Sequence, residues 1–360
     1  MYNEGKTMFK SISINNFRAI TNLAIDNFGQ VNLLVGSNNC GKTNVLEALF
    51  LLIGATNPQL PLTINGLRGL SFIHREMWPT FFRNMDMSLR IEITGKIHGT
   101  DAEHMLVVQP KFEKQIESEP IEVGSDIQSL KIENSETLQA IPPNGLKLAY
   151  SNSEFPERNN VSEIFEKDNK VVTQGIKDTP FQGIFISPTQ AFDWKARFAP
   201  AQRKKLVMEV VSLLQEIDPK IADLRLNEIG LLEADNGLSR LLPVNLMGGG
   251  IAKYLTVSLA MLEFQNGMVF IDEFENGLHH SAQKILWKAV FSWAQKLNVQ
   301  VFATTHSLEC IRAFSNSISS SLFEAEAKLY RIERKEEKFR AVELTKEVLA
   351  ESLASKWEIR

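Results

Sequence analysis

One stretch near the N-terminus restricts the architecture more than any other. Val31-Asn-Leu-Leu-Val35 reads as a short apolar strand, Gly36-Ser37-Asn38-Asn39-Cys40-Gly41-Lys42-Thr43 follows, and KTNVLEALFLLI then runs to Ile53 as a helix. The loop fits G-x-x-x-x-G-K-[ST]. Its glycines let successive backbone N–H groups turn inward around phosphate oxygens without interference from a Cβ. Lys42 supplies a point charge for β- and γ-phosphates, and the Thr43 hydroxyl suits Mg²⁺. The helix points its positive end at the same anion, with Val45, Leu46, Leu49, Phe50 and Ile53 on one broad apolar stripe.

Three further segments carry chemistry. Met268-Val-Phe-Ile-Asp272-Glu273 is an apolar strand ending in two carboxylates, the Walker B arrangement. Asp272 is placed to hold the metal, directly or through water, and Glu273 to polarise an attacking water as general base. Val299-Gln-Val-Phe-Ala-Thr-Thr-His306 is another strand, whose terminal histidine either contacts the γ-phosphate and the water or is structural. Leu246-Met247-Gly248-Gly249-Gly250 opens the helical run Ala252–Leu262 and ends 22 residues before Asp272. Glycines at a helix N-terminus form a second anion-binding device. One nucleotide needs one phosphate loop, so this cluster either serves another nucleotide or is a plain turn. His279-His280 matches no common zinc spacing.

The chain divides by pattern into four parts: 1–98 with the phosphate loop, 99–182 as an acidic β-rich insertion, 183–265 as a helical segment ending at the glycine cluster, and 266–360 with Walker B and His306. Residues 9–35 suggest two or three strands and 88–98 another. From 113 to 168 there are 12 acidic and 5 basic residues, a local net of −7, with Pro142-Pro143-Asn144-Gly145 as turn chemistry. Short strand-like pieces there suggest an antiparallel insertion, against the plainer reading of a disordered loop. Residues 199–218 read as one helix, with Leu206, Val207, Val210, Leu213, Leu214 and Ile217 at helical spacing. Strands and helices alternate over 266–335, pointing to a mostly parallel sheet, and a hairpin and short helix follow from 327. The expected fold class is therefore α/β, a P-loop NTPase with a mostly parallel sheet, an antiparallel β lobe and a helical lobe.

Composition narrows the setting. Two cysteines, Cys40 and Cys310, are too few for a disulfide framework, which suits a reducing cytoplasm. No apolar stretch is long enough to span a bilayer, and the N-terminus lacks a signal core, so no membrane is expected. A net charge of −4 argues against a surface devoted to nucleic acid. A local basic cluster, Lys195, Arg197, Arg203, Lys204 and Lys205, leaves phosphate contact open, against the plainer reading of a solvated face or a dimer contact.

The order phosphate loop, glycine cluster, Walker B, histidine resembles that of ABC-type ATPases. Asn16-Phe17-Arg18 resembles the opening of the RecF, structural-maintenance-of-chromosomes (SMC) and OLD (overcoming lysogenization defect) group, and IDEFENGLHH, ILWKAV and FATTHSLECI are similar to AAA-domain proteins that cluster with OLD-like ATPases. The resemblance covers about 1–95 and 183–360 and leaves the insertion aside. It implies ATP and Mg²⁺ as cofactors, with Gly36–Thr43 binding triphosphate and Arg18 contributing at the phosphate or adenine. It also implies catalysis by Glu273 with His306 as switch, metal binding by Thr43 and Asp272, and Gly248, Gly249 and Gly250 meeting the γ-phosphate held by a second subunit. Two nucleotides would then be sandwiched in a homodimer or higher even-numbered oligomer, with Glu275–Leu278 crossing the interface. Met247 departs from the serine usual before the glycine pair, and the coupling glutamine is placed only by region, at Gln182 or Gln190. No base-reading motif excludes GTP.

The resemblance favours a sensor or scaffold in prokaryotic anti-phage defence acting through a separate effector protein, a nuclease or toxin. The 54 residues after His306 are too few for the Toprim nuclease domain that OLD-like proteins often carry. The alternative is a RecF- or SMC-like DNA-repair clamp binding nucleic acid; a transporter subunit is disfavoured by the opening motif and by Met247.

Overall fold

Alternation along the central strands explains the layering. In strand β3 (Val31–Val35) the side chains of Val31, Leu33 and Val35 join one core and Leu34 joins another. The same period-two split recurs in β13 (Met268–Ile271) and β14 (Gln300–Thr304), where Val269, Ile271, Val301 and Ala303 face one side and Met268, Phe270 and Phe302 the other. Strands buried on both faces require a covered sheet. The computed structural model describes residues 8–70, 75–100, 102–112, 143–175, 179–188, 193–319 and 326–354.

The covered sheet has six strands. Its order is β16 (Lys338–Glu343), β15 (Ala327–Lys335), β3, β14, β13, β9 (Gly183–Ile186). All neighbours are parallel except the β15–β16 hairpin. One face carries α3 (Trp194–Arg203), α4 (Val207–Leu214), α5 (Gly249–Glu263), α6 (His280–Lys296) and α7 (Leu308–Ser319). The opposite face packs on α1 (Lys42–Ile53), which lies against a second sheet of seven antiparallel strands. That sheet runs β2 (Ile20–Ile25), β1 (Phe9–Phe17), β4 (Ile91–Ile97), β5 (Glu103–Lys111), β6 (Gly145–Asn152), β7 (Asn160–Lys167), β8 (Lys170–Gln174). The insertion strands thus extend the sheet that β1 begins.

Three local outcomes differ from the sequence pattern. Helix α1 has no wet face: every residue from Asn44 to Ile53 is buried, because the helix runs between two sheets. The helix expected over 199–218 is two helices, α3 and α4, and Lys205 between them takes a left-handed φ of 59°. The apolar spacing nevertheless marks the packed face, since Val210 and Leu214 are buried and Leu206, Val207, Leu213 and Ile217 lie against the same core. A three-stranded sheet, β10 (Asp223–Leu226), β11 (Leu232–Asp235) and β12 (Leu242–Pro243), leads into the glycine cluster. Its strands are two to four residues long, too short for an alternation to register. The short α2 (Leu60–Leu67) and the C-terminal α8 (Lys346–Ala354) complete the described α-helices. Most of the acidic stretch, 113–142 with Pro142, and Gln190 lie outside the described residues.

Candidate phosphate site

The loop from Gly36 to Gly41 leaves β3 at its C-terminal end and feeds α1, whose first turn it caps with Gly41 at φ 99°. Gly36 is needed for a close approach, because a Cβ there would stand 2.5 Å from the Ile332 carbonyl oxygen of β15. Ser37, Asn38 and Asn39 are exposed at the rim, and Cys40 is buried beneath. Lys42 Nζ donates to the Gly36 and Ser37 carbonyls at 2.8 and 2.9 Å and lies 3.8 Å from Cys40 Sγ. The ammonium therefore sits folded over its own loop, where phosphate oxygens can replace those carbonyls.

Parallel pairing of β3, β14 and β13 brings the other strand ends to the same place. Thr43 Oγ1 lies 3.0 and 3.1 Å from the two Asp272 carboxylate oxygens, and Thr304 Oγ1 donates to Asp272 Oδ1 at 2.6 Å. Burial pushes the Asp272 carboxyl above its ordinary range, and the Thr304 and Thr43 hydroxyls pull against that shift. The Thr43 hydroxyl in the first turn of α1 and the Asp272 carboxylate just after β13 form a hard-oxygen donor set that fits Mg²⁺.

Glu273 follows in a left-handed conformation, φ 49°, unusual for a residue with a side chain. Its N–H donates to Thr304 Oγ1 at 2.9 Å, so one hydroxyl holds both carboxylate residues. His306, about half exposed, has Nδ1 3.1 Å from Glu275 Oε1, and the same oxygen accepts the backbone N–H groups of His306 and Ser307. Lys253 of α5 reaches the Glu273 carbonyl at 3.5 Å; burial lowers its pKa to about 8 against the raising influence of Glu275, Asp272 and Glu273.

Beside the loop lies a network that sequence reading missed. Glu47, 1% exposed inside α1, lies 2.6 Å from Arg18 Nε and 2.5 Å from Arg68 Nε. Arg68 also donates to Asn44 Oδ1 at 2.7 Å. Burial opposes the charge on Arg68, but the Glu47 hydrogen bond and charge outweigh it and raise the pKa, with Asp272 adding to them. Arg18 is also held by Asn65 Oδ1 at 2.9 Å and the Thr80 carbonyl at 3.3 Å, and burial is the main reason its pKa falls. Arg18, Arg68, Arg83 and Arg334 line a cavity of about 320 Å³ with Asn44 and Glu337. Glu337 pairs with Arg83, and Glu47 answers both Arg18 and Arg68, so four guanidinium groups face two carboxylates. The one available signal was Glu47 itself, a lone charge in an otherwise apolar run.

The glycine cluster is elsewhere. Gly248, φ 93°, caps α5, and a Cβ on Gly249 would stand 3.0 Å from the Gly277 carbonyl, on the loop that follows Glu273. Among the described residues no hydrogen bond joins Gly248–Gly250 to Gly36–Thr43. Gln182 precedes β9 and its carbonyl accepts from Met268 N–H at 3.0 Å. In the basic cluster Arg197 is paired with Glu263 at 2.5 Å, while Arg203, Lys204 and Lys205 are exposed. Among the described residues no helix is long and apolar enough to cross a membrane.

A glycine-bounded loop between a parallel strand and a buried helix, with an aspartate from the neighbouring strands on its threonine, defines a P-loop protein of mixed α/β fold. The chain belongs to the family described as AAA domain, putative AbiEii toxin, Type IV TA system, whose model matches residues 31–312. An ATP/GTP phosphatase of Helicobacter pylori is 29% identical over 349 residues, spanning 90% of this chain and 92% of its own length. An OLD nuclease of Thermus scotoductus is 24% identical over 339 residues, and the match spans 83% of this chain and 59% of the nuclease. An SMC head domain of Pyrococcus furiosus, solved with the C-terminal domain of ScpA, superposes with a TM-score of 0.48 and 11% identity, covering 97% of this chain and 99% of that one.

Proposed function

We propose that this chain is a Mg²⁺-dependent ATPase that works as a dimer and signals through a separate effector protein in prokaryotic anti-phage defence, from the cytoplasm. The observation that carries the ATPase reading is Thr43 Oγ1 set against both oxygens of a buried Asp272 at the foot of the phosphate loop. Lys42 leaves the Gly36 and Ser37 carbonyls for the β- and γ-phosphates. Mg²⁺, when bound by Thr43 and Asp272, neutralises charge on the phosphate oxygens. Arg18, Arg68 and the cavity beside them receive the α-phosphate and the nucleoside it carries, where the excess of guanidinium groups offsets the α-phosphate charge. Glu273 takes the proton of the attacking water, and His306, held by Glu275, faces the γ-phosphate as the switch.

Gly248, Gly249 and Gly250 present free N–H groups at the open end of α5 to the γ-phosphate on a second copy. The relative called an ATP/GTP phosphatase supports hydrolysis. The family description, with its toxin–antitoxin system, and the OLD nuclease relative support the defence role and a separate effector.

The test is Glu273→Gln. Binding of ATP should persist while kcat falls by about 10²–10⁴-fold, and the trapped protein, tagged and retrieved from its host with ATP, should carry a stoichiometric nuclease or toxin. Turnover at the wild-type rate would remove the general-base role. Nucleic acid alone, surviving a moderate salt wash, would replace the scaffold reading with a DNA clamp.

A further inference from the structure

The backbone of Glu273 needs an explanation beyond its own sequence. A glutamate at φ 49° is disfavoured, and such a conformation persists only where the surroundings over-determine it. Three contacts do so here. The N–H is held by Thr304 Oγ1 at 2.9 Å, the carbonyl accepts from Asn276 N–H at 2.9 Å, and Lys253 Nζ reaches the same carbonyl at 3.5 Å. The first two belong to the strand end and its turn. Lys253 is different, because it comes from α5, one turn after the glycine cluster.

From these contacts we infer that Lys253 is a positioning residue through which the Gly248–Gly250 end of α5 sets the conformation of Glu273. The inference rests on the ATPase reading above. Gly249 stands against Gly277, so the start of α5 also touches the loop that leaves Glu273. A ligand that shifts the start of α5 therefore moves two contacts on one carboxylate-bearing turn, a backbone one at Gly277 and a side-chain one at Lys253. The half-buried ammonium interacts with Asp272, Glu273 and Glu275, the acids that face it from the strand end and its loop. Its charge holds their mutual repulsion down and leaves the Glu273 carboxylate free to turn toward water. In the dimer the γ-phosphate of one copy would reach the glycine cluster of the other, and Lys253 would pass that contact to the second copy's own base.

Lys253→Met tests this, since it keeps the stem and removes the charge; removing one member of a buried charge cluster costs stability, so the charge-conserving Lys253→Arg is measured beside it. The expected result is a kcat lower by about 10–100-fold with KM for ATP within about threefold, and partial recovery in Lys253→Arg. In Lys253→Met combined with Glu273→Gln, kcat should be no lower than in Glu273→Gln alone. Unchanged kcat, a raised KM with intact kcat, or full additivity of the two substitutions would overturn the role. Retained binding of a fluorescent ATP analogue and a melting temperature above that of the assay separate the effect from misfolding; if Lys253→Met does not fold, Lys253→Arg with wild-type stability and a lowered kcat carries the test. Wild-type chain without turnover that Lys42→Ala abolishes would sink the ATPase reading and this one together, whereas a fully active Lys253→Met on an active chain sinks this one alone.

Discussion

Two helices in this protein begin at a glycine with left-handed φ, α1 after Gly41 at 99° and α5 after Gly248 at 93°, yet their surroundings are opposite. The start of α1 is crowded. Lys42 lies on its own loop, Thr43 on Asp272, Asn44 and Glu47 on Arg68, and Phe339 of β16 packs against Gly41. At the start of α5, a Cβ on Gly248 or Gly250 would meet nothing within 4 Å, and Leu246 just before them is largely exposed. Both ends offer free N–H groups to an anion. Only α1 also supplies a hydroxyl set against a buried carboxylate as a metal site; the cavity of about 260 Å³ at the start of α5 is lined instead by Gly249, Lys253, Asn276 and Gly277. The difference is what the proposed function requires: one end complete within a single chain, the other completed by a second copy.

The largest effect should come from breaking the two ends on separate copies. Lys42→Ala alone and Gly249→Asp alone should each lose at least about 100-fold in turnover, by removing charge from one end and setting a carboxylate against phosphate at the other. Mixed together, the two inactive proteins should regain activity, because a mixed pair holds one site with a wild-type loop facing a wild-type glycine cluster. Activity should also rise with protein concentration, as a shared site requires. No recovery on mixing, with mixed pairs verified by differential tags, would mean that the glycines serve their own chain or are a plain turn.

A smaller effect belongs to the crowded end. Arg68→Ala removes a guanidinium bonded to Asn44 and Glu47 and leaves Glu47, almost fully buried, with Arg18 alone. We expect KM for ATP to rise by about tenfold, the equivalent of ~1.4 kcal/mol, with kcat changed less. Arg68→Lys should recover little, since an ammonium cannot bond two partners through a planar fork. If KM is unmoved, the arginine-lined cavity does not receive the nucleotide.

These two ends also differ in how far the sequence exposes them. The crowded one was readable in its essentials, because Gly36–Thr43 and Met268–Glu273 have fixed spacings, and the parallel register of β3, β14 and β13 brings Thr43, in the helix after β3, to Asp272 at the end of β13. What stayed hidden was everything contributed from a distance. Arg68 follows α2 and bonds Asn44 and Glu47, while Thr304 closes β14 and Lys253 lies within α5, and no local pattern says that these last two meet Asp272 and Glu273. Glu47 was visible only as an interruption in an apolar helix; its meaning required the second sheet, whose strands enclose α1 and turn an expected stripe into a helix buried all round. The open end was harder still. Short strands β10–β12 present it, and in the proposed dimer the phosphate it meets belongs to the other chain.

The smallest expected effect separates fold from function at that open end. A Cβ on Gly36 would collide with the Ile332 carbonyl, so Gly36→Ala should destabilise the single chain and abolish nucleotide binding together. Gly250 is in the first turn of α5 with no positive φ and no neighbour within reach of a new Cβ. Gly250→Ala should therefore leave the chain as stable as before or stabilise it by about 0.5–1 kcal/mol, since alanine loses less backbone entropy in a helix. Turnover should nevertheless fall a few-fold, because in the proposed dimer the methyl group would lie where a second copy's phosphate approaches the helix N–H groups. A melting temperature that holds or rises while activity drops is the signature of a surface kept bare for a partner's nucleotide. Equal activity and higher stability would show that the third glycine is dispensable, and that Gly248 and Gly249 carry the open end between them.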